Sequence, residues 1–174
     1  MNLRGWSALL VGAMGAFWWL GVVMIMERDK LQGLLQFWPV ALLGGIGAAL
    51  AGALLARGLG GEGLRGWLFS GLRLILATLL GALFGGLLMF LTIQGMDFFG
   101  LFPETSSGIG LMRSMRGEYA VLPLFAPLLI AGVLFDHPVN LLLWLGFAAG
   151  VHLLLRSRRR RSALPLPQPK PEPG

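Results

Sequence analysis

His137 and His152 are the two histidines of this chain, and five arginines follow the second: Arg156, Arg158, Arg159, Arg160 and Arg161. A histidine pair is one way to hold a haem iron. These two stand 15 residues apart, about 22 Å along one helix, so they cannot flank one iron within this chain. No cysteine exists to complete either site. His137, beside Asp136, reads as a turn residue with a pH-sensing role as the sharper alternative. His152 lies one turn before Arg156, and an interfacial cation is favoured at a helix C-terminus.

The other chemistry-bearing residues are equally sparse. Glu27, Asp29, Glu62, Asp97, Glu104 and Glu118 form no metal-spaced or paired-carboxylate motif. No serine stands at a recognisable spacing from a histidine or aspartate. Gly60-Gly61-x-Gly63 lacks the lysine and the strand of a phosphate loop. The expectation is a chain with no catalytic, cofactor-binding or metal site. Proton pumps and ion-coupled carriers need ionisable groups along a path within the membrane. Here mid-span polarity reduces to Thr78 and Thr92, with Arg73 and His152 near span ends.

The arginine cluster follows an apolar run directly. That position suits a stop-transfer signal that holds the C-terminus in the cytoplasm and pairs with anionic headgroups, at roughly 1 kcal/mol per charge. A nucleic-acid tail would want its basic segment away from a bilayer or interleaved with aromatics. No nucleic-acid partner is expected.

Small residues carry the clearest pattern. Gly44, Ala48, Gly52 and Ala56 recur at four-residue spacing, as do Ala77, Gly81 and Gly85, and then Gly146 and Gly150. Such faces let helix backbones approach closely, and in lipid that packing drives association. They serve packing inside the bundle, or one of them docks a partner subunit.

The elements that must carry these residues follow from composition. Of 174 residues, 56% are hydrophobic and 13% charged, against about 25% charged in a soluble domain. Mean hydropathy is +0.75. Long uncharged runs make this an all-α, polytopic integral membrane protein, with five spans or alternatively four. The spans fall at about 6–26, 34–56, 68–93, 119–135 and 139–155. The first run ends in bulky residues rather than a small-residue cleavage site, so it is expected to be retained. Pro39 lies near the start of the second, where a missing N–H is tolerated. Residues 94–118 form an interfacial connection, with Leu111, Met112, Met115 and Tyr119 on one arc of a short surface helix. "DHP" at 136–138 predicts a tight helical hairpin between two short runs. Residues 1–155 are thus a transmembrane helical domain, and 156–174 a basic, Pro-rich cytoplasmic tail of extended polyproline type beyond the arginines. Trp6, Trp38 and Trp67 suit the headgroup level, whereas Trp18, Trp19 and Trp144 lie deeper, between helices or facing lipid.

Lysine and arginine prefer the cytoplasmic side. Five spans with the N-terminus outside put ten basic residues inside and four outside. Four spans with the N-terminus inside and a re-entrant fourth run give the same division. The rule therefore fixes the C-terminus in the cytoplasm and leaves the N-terminus open. The location expected is a bacterial inner (cytoplasmic) membrane. The partners expected are the lipid bilayer and other membrane subunits or further copies of the chain. The expected function is a non-catalytic accessory, scaffold or assembly subunit of a larger membrane complex. The alternatives are a small permease subunit or oligomeric transporter, with its substrate region around Pro123 to Pro138, and an enzyme accessory holding a lipid or quinone.

Overall fold

The computed structural model describes residues 2–26, 30–99 and 121–163. The surface helix expected within 111–119 and the proline-rich end lie outside them. Among the described residues the chain forms five α-helices and no strand.

Helix α1 spans Leu3–Met26. It starts three residues before the apolar run because Asn2 Oδ1 accepts a hydrogen bond from the Gly5 amide at 2.9 Å, meeting one of the free donors of the first turn. Helix α2 spans Lys30–Leu54 and carries Pro39 inside it. A 3-10 turn, Ala56–Gly58, closes it. Helix α3, Gly63–Phe98, has 36 residues. That is about 54 Å, well beyond the ~30 Å of a hydrocarbon core. It takes in Gln94–Phe98, which was expected to open the interfacial connection; no proline interrupts this segment, and the helix simply continues.

Helix α4, Leu122–Asp136, has 15 residues, about 22 Å, shorter than the ~30 Å of a hydrocarbon core. His137 breaks it with extended backbone angles (φ −136°, ψ 132°). Helix α5 then runs Pro138–Ala163. Pro138 stands at its first position, where no N–H is needed. The change of composition at Arg156 is not a change of structure. Arginine is a good helix former and its charge suits the C-terminal end of a helix, so α5 continues eight residues past Leu155.

Helices α1 and α3 run one way, and α2 and α5 the other. Trp18 in α1 meets Asn140 at the start of α5, and Trp6 meets Arg158 near its end. Ser7 in α1 meets Gly52 in α2. The start of α1, the connection between α2 and α3, and the end of α5 therefore gather at one end of the bundle. The core is a seam at helical spacing: Val11, Met14, Trp18 and Val22 of α1 pack with Leu74 and Ala77 of α3 and with Trp144, Ala148, Val151 and Leu155 of α5.

The outside is apolar as well. Phe17, Leu54, Leu72, Leu91, Leu128, Leu142 and Leu153 are all exposed. In water such a surface would aggregate, whereas lipid would solvate it. Among the described residues three helical stretches, Leu3–Ile25, Gly63–Met96 and Pro138–Arg161, are long and apolar enough to cross a membrane. This all-helical fold is compatible with a membrane protein.

Candidate functional site

The small-residue positions do not behave alike. The closest approach between two helices is at Gly47, outside the four-residue series: a Cβ there would collide with the Gly81 carbonyl and the Gly85 amide. Helices α2 and α3 thus touch backbone to backbone. Gly81 and Gly85 lie on the same seam, where an added Cβ would stand 2.8 Å from Ala48 Cα and 3.1 Å from Gly44 Cα. Gly52 faces α1, and an added Cβ would stand 2.8 Å from the Ser7 carbonyl. The Ser7 hydroxyl donates to the Gly52 carbonyl at 2.6 Å. Gly44, Gly146 and Gly150 are different, because a Cβ on any of them meets nothing within 4 Å. At Gly44 the open space is a cleft; Gly146 and Gly150 leave open space beside α5.

The cleft has a volume of about 190 Å³ and lies between α1, α2, α3 and α4. Trp18 and Trp19 come from α1, Gly44 and Ala48 from α2, Thr78 and Met89 from α3, and Ala126 and Ile130 from α4. Its polar groups are few and mostly engaged. The Thr78 hydroxyl donates to the Leu74 carbonyl at 2.8 Å and accepts from Trp144 Nε1 at 3.0 Å. Trp18 Nε1 donates to the Asn140 carbonyl at 3.1 Å. Trp19 Nε1 is buried and has no hydrogen-bond partner.

Asn140 is fully buried and ties the α4–α5 junction. Its Nδ2 donates to the Val133 carbonyl at 2.9 Å, satisfying a group that the break of α4 leaves over. His137 caps the start of α5: its Nδ1 accepts from the Val139 amide at 3.3 Å and its carbonyl from the Asn140 amide at 2.9 Å. The expected turn role of His137 thus has a specific form. Asn140 carries no sequence motif, yet a lone amide just inside an apolar run is itself a signal in a membrane sequence.

His152 is covered by the protein. It is 1% exposed. Its ring stacks on Trp67 of α3 with centroids 4.0 Å apart and planes tilted by 34°. Neither ring nitrogen has a hydrogen-bond partner. Spacing along α5 placed it correctly, one turn before Arg156; the missing information was that α3 covers that face.

The arginines engage the protein. Arg158 sits over the Trp6 ring, 4.0 Å from its centroid. Arg159 Nη2 donates to the carbonyls of Ala56 and Arg57 at 3.3 and 2.8 Å. Arg160 Nε pairs with Glu62 Oε1 at 2.8 Å. That hydrogen bond and the Arg160 charge hold the Glu62 carboxyl below the ordinary carboxylate range. Arg161 is exposed. Arg156 is half-buried, with its Nε out of solvent and unpartnered. The connection they grip is seated by Leu59, which is fully buried. Gly60 lets it turn, with φ at +73°, in close approach to the Leu155–Arg156 backbone. The Gly60 amide donates to Ser70 Oγ at 2.9 Å.

Among the described residues no group of three or more histidines, cysteines or carboxylates stands close enough to hold a metal ion. Comparison with protein-family models, with curated proteins and with solved structures finds no match.

Proposed function

We propose that this protein is a non-catalytic accessory, scaffold or assembly subunit of a larger membrane complex, in a bacterial cytoplasmic membrane. The observation that carries the reading is the bare small-residue face of α5. Gly81 and Gly85 meet a neighbouring helix, whereas Gly146 and Gly150 meet nothing within 4 Å. A face of this kind on an apolar helix is where a partner helix can come to backbone distance.

The topology we propose is four crossings, with both termini in the cytoplasm. The 4.0 Å contact between Arg158 and Trp6 and the Arg160–Glu62 pair support it. Five crossings would put Trp6 and Arg158 on opposite faces of the bilayer, about 30 Å apart. Four crossings leave α4 as a partial element and keep ten basic residues on the cytoplasmic side.

Extraction in mild detergent, followed by sizing and identification of co-eluting chains, tests the role. A large, defined assembly with other subunits is expected; elution of the chain by itself would overturn the accessory reading. A second reading, a small permease subunit, is favoured by the cleft that α4 walls with Ala126, Leu129 and Ile130. Transport by the purified protein in liposomes would establish it.

A further inference from the structure

The cleft between α1, α2, α3 and α4 lies among helices that lipid surrounds, and its walls decide what can fill it. A buried water needs two to four polar partners. Thr78 and Trp18 already use their polar atoms within the protein. Trp19 Nε1 is sealed from a water-sized probe and offers the cleft no polar contact. Such walls hold no water cluster. An empty cavity is no better, because its lining forfeits dispersion contacts on one side. The size fits hydrocarbon: an apolar cavity of about 150 Å³ takes a six-carbon ring, and this cleft measures about 190 Å³.

We propose that the cleft is a binding site for one lipid-type hydrocarbon chain. A glycerolipid acyl chain and an isoprenoid chain share this chemistry. The site depends on membrane location and not on the accessory role or the number of crossings.

Gly44 supplies the test. It lines the cleft, and a Cβ built on it meets nothing within 4 Å. Gly44→Leu therefore fills the site from α2, and Ala126→Leu fills it from α4. Gly95→Leu is the control, since Gly95 has open space and is not part of the cleft. Full-length protein in mild detergent is weighed intact by native mass spectrometry, as purified and after exchange with dipalmitoyl phosphatidylglycerol. The expected result is a single amphiphile adduct per chain on wild type and on Gly95→Leu, reduced several-fold in both cleft-filled variants. The melting temperature of Gly44→Leu should equal or exceed that of wild type, because the leucine occupies a void. Should Gly44→Leu fail to fold, Ala126→Leu decides alone. The adduct's mass separates the sources: a glycerolipid identifies the acyl chain, and an isoprenoid-bearing compound identifies the other. Wild type without an adduct, adducts unchanged in the filled variants, or equal loss in Gly95→Leu would each overturn the site.

Discussion

At the scale of single residues, glycine means two opposite things in this chain. At Gly47 the missing side chain is what lets α2 reach the Gly81–Gly85 backbone of α3. Gly47→Ala forces the helices apart or strains the α3 backbone, at a cost of about 1–3 kcal/mol. Gly146→Ala, with open space beside it, should cost nothing and gains helix propensity. Unfolding in detergent by denaturant measures both; a Gly47→Ala variant as stable as wild type would dissolve the backbone contact. Glu62 acts through charge instead. Its folded-state pKa is lowered by Arg160, so its contribution is present above the unfolded value and lost as pH falls through the folded one. Both partners are exposed, at 62% and 65%, so the effect is small and weakened by salt. The expected pattern is that Glu62→Gln melts below wild type at neutral pH and low salt, and that the gap closes in acid and at high salt. A gap that persists in acid would mean that the carboxylate charge is not its source.

At the scale of elements, the apolar runs in the sequence already outline most of the helices, because an uncharged run of this length has no other way to satisfy its backbone in lipid. Their ends were harder to read. α1 begins early through the Asn2 cap, and α5 runs on through the arginines because those residues favour helix. Small-residue spacing pointed to Gly81 and Gly85 and passed over Gly47, since periodicity gives a face but not the neighbour opposite it. The bonds between elements were less visible still. Thr78 stood out as a polar residue within a span, while its partner, Trp144, is 66 positions away. This pair ties α3 to α5 next to the cleft. Interhelical hydrogen bonds in membrane proteins average about 0.6 kcal/mol and reach about 1.7. Trp144 is 6% exposed, so Thr78→Val leaves its indole N–H without an acceptor and should cost about 1 kcal/mol, toward the upper part of that range. A double-mutant cycle with Trp144→Phe isolates the term, and zero coupling would show that the bond does not operate in the folded protein.

At the scale of the whole molecule, charge counting and contact geometry answer different parts of one question. The positive-inside rule gives the same division of basic residues for five crossings as for four, so it is silent on the N-terminus. The folded contacts are not symmetric in this way. Trp6, the 56–62 connection and the last turns of α5 meet through Arg158, Arg159 and Arg160. Such contacts cannot form across a bilayer. The arginines that would fix topology by pairing with headgroups also act as a clamp on the protein, and this role needs both ends of the chain on one side. The chain has no cysteine, so single cysteines are clean reporters. Arg4→Cys and Arg161→Cys should both resist a membrane-impermeant maleimide in intact cells and both react in inverted vesicles. Gln94→Cys, more than 30 residues along α3 from its start at Gly63, should be nearer the opposite face and react in intact cells. If Arg4→Cys and Arg161→Cys react from opposite sides, the clamp does not exist in the membrane and the crossings are odd in number. If both react from the same side, five crossings are ruled out, and α4 is left as the short element that forms one wall of the cleft.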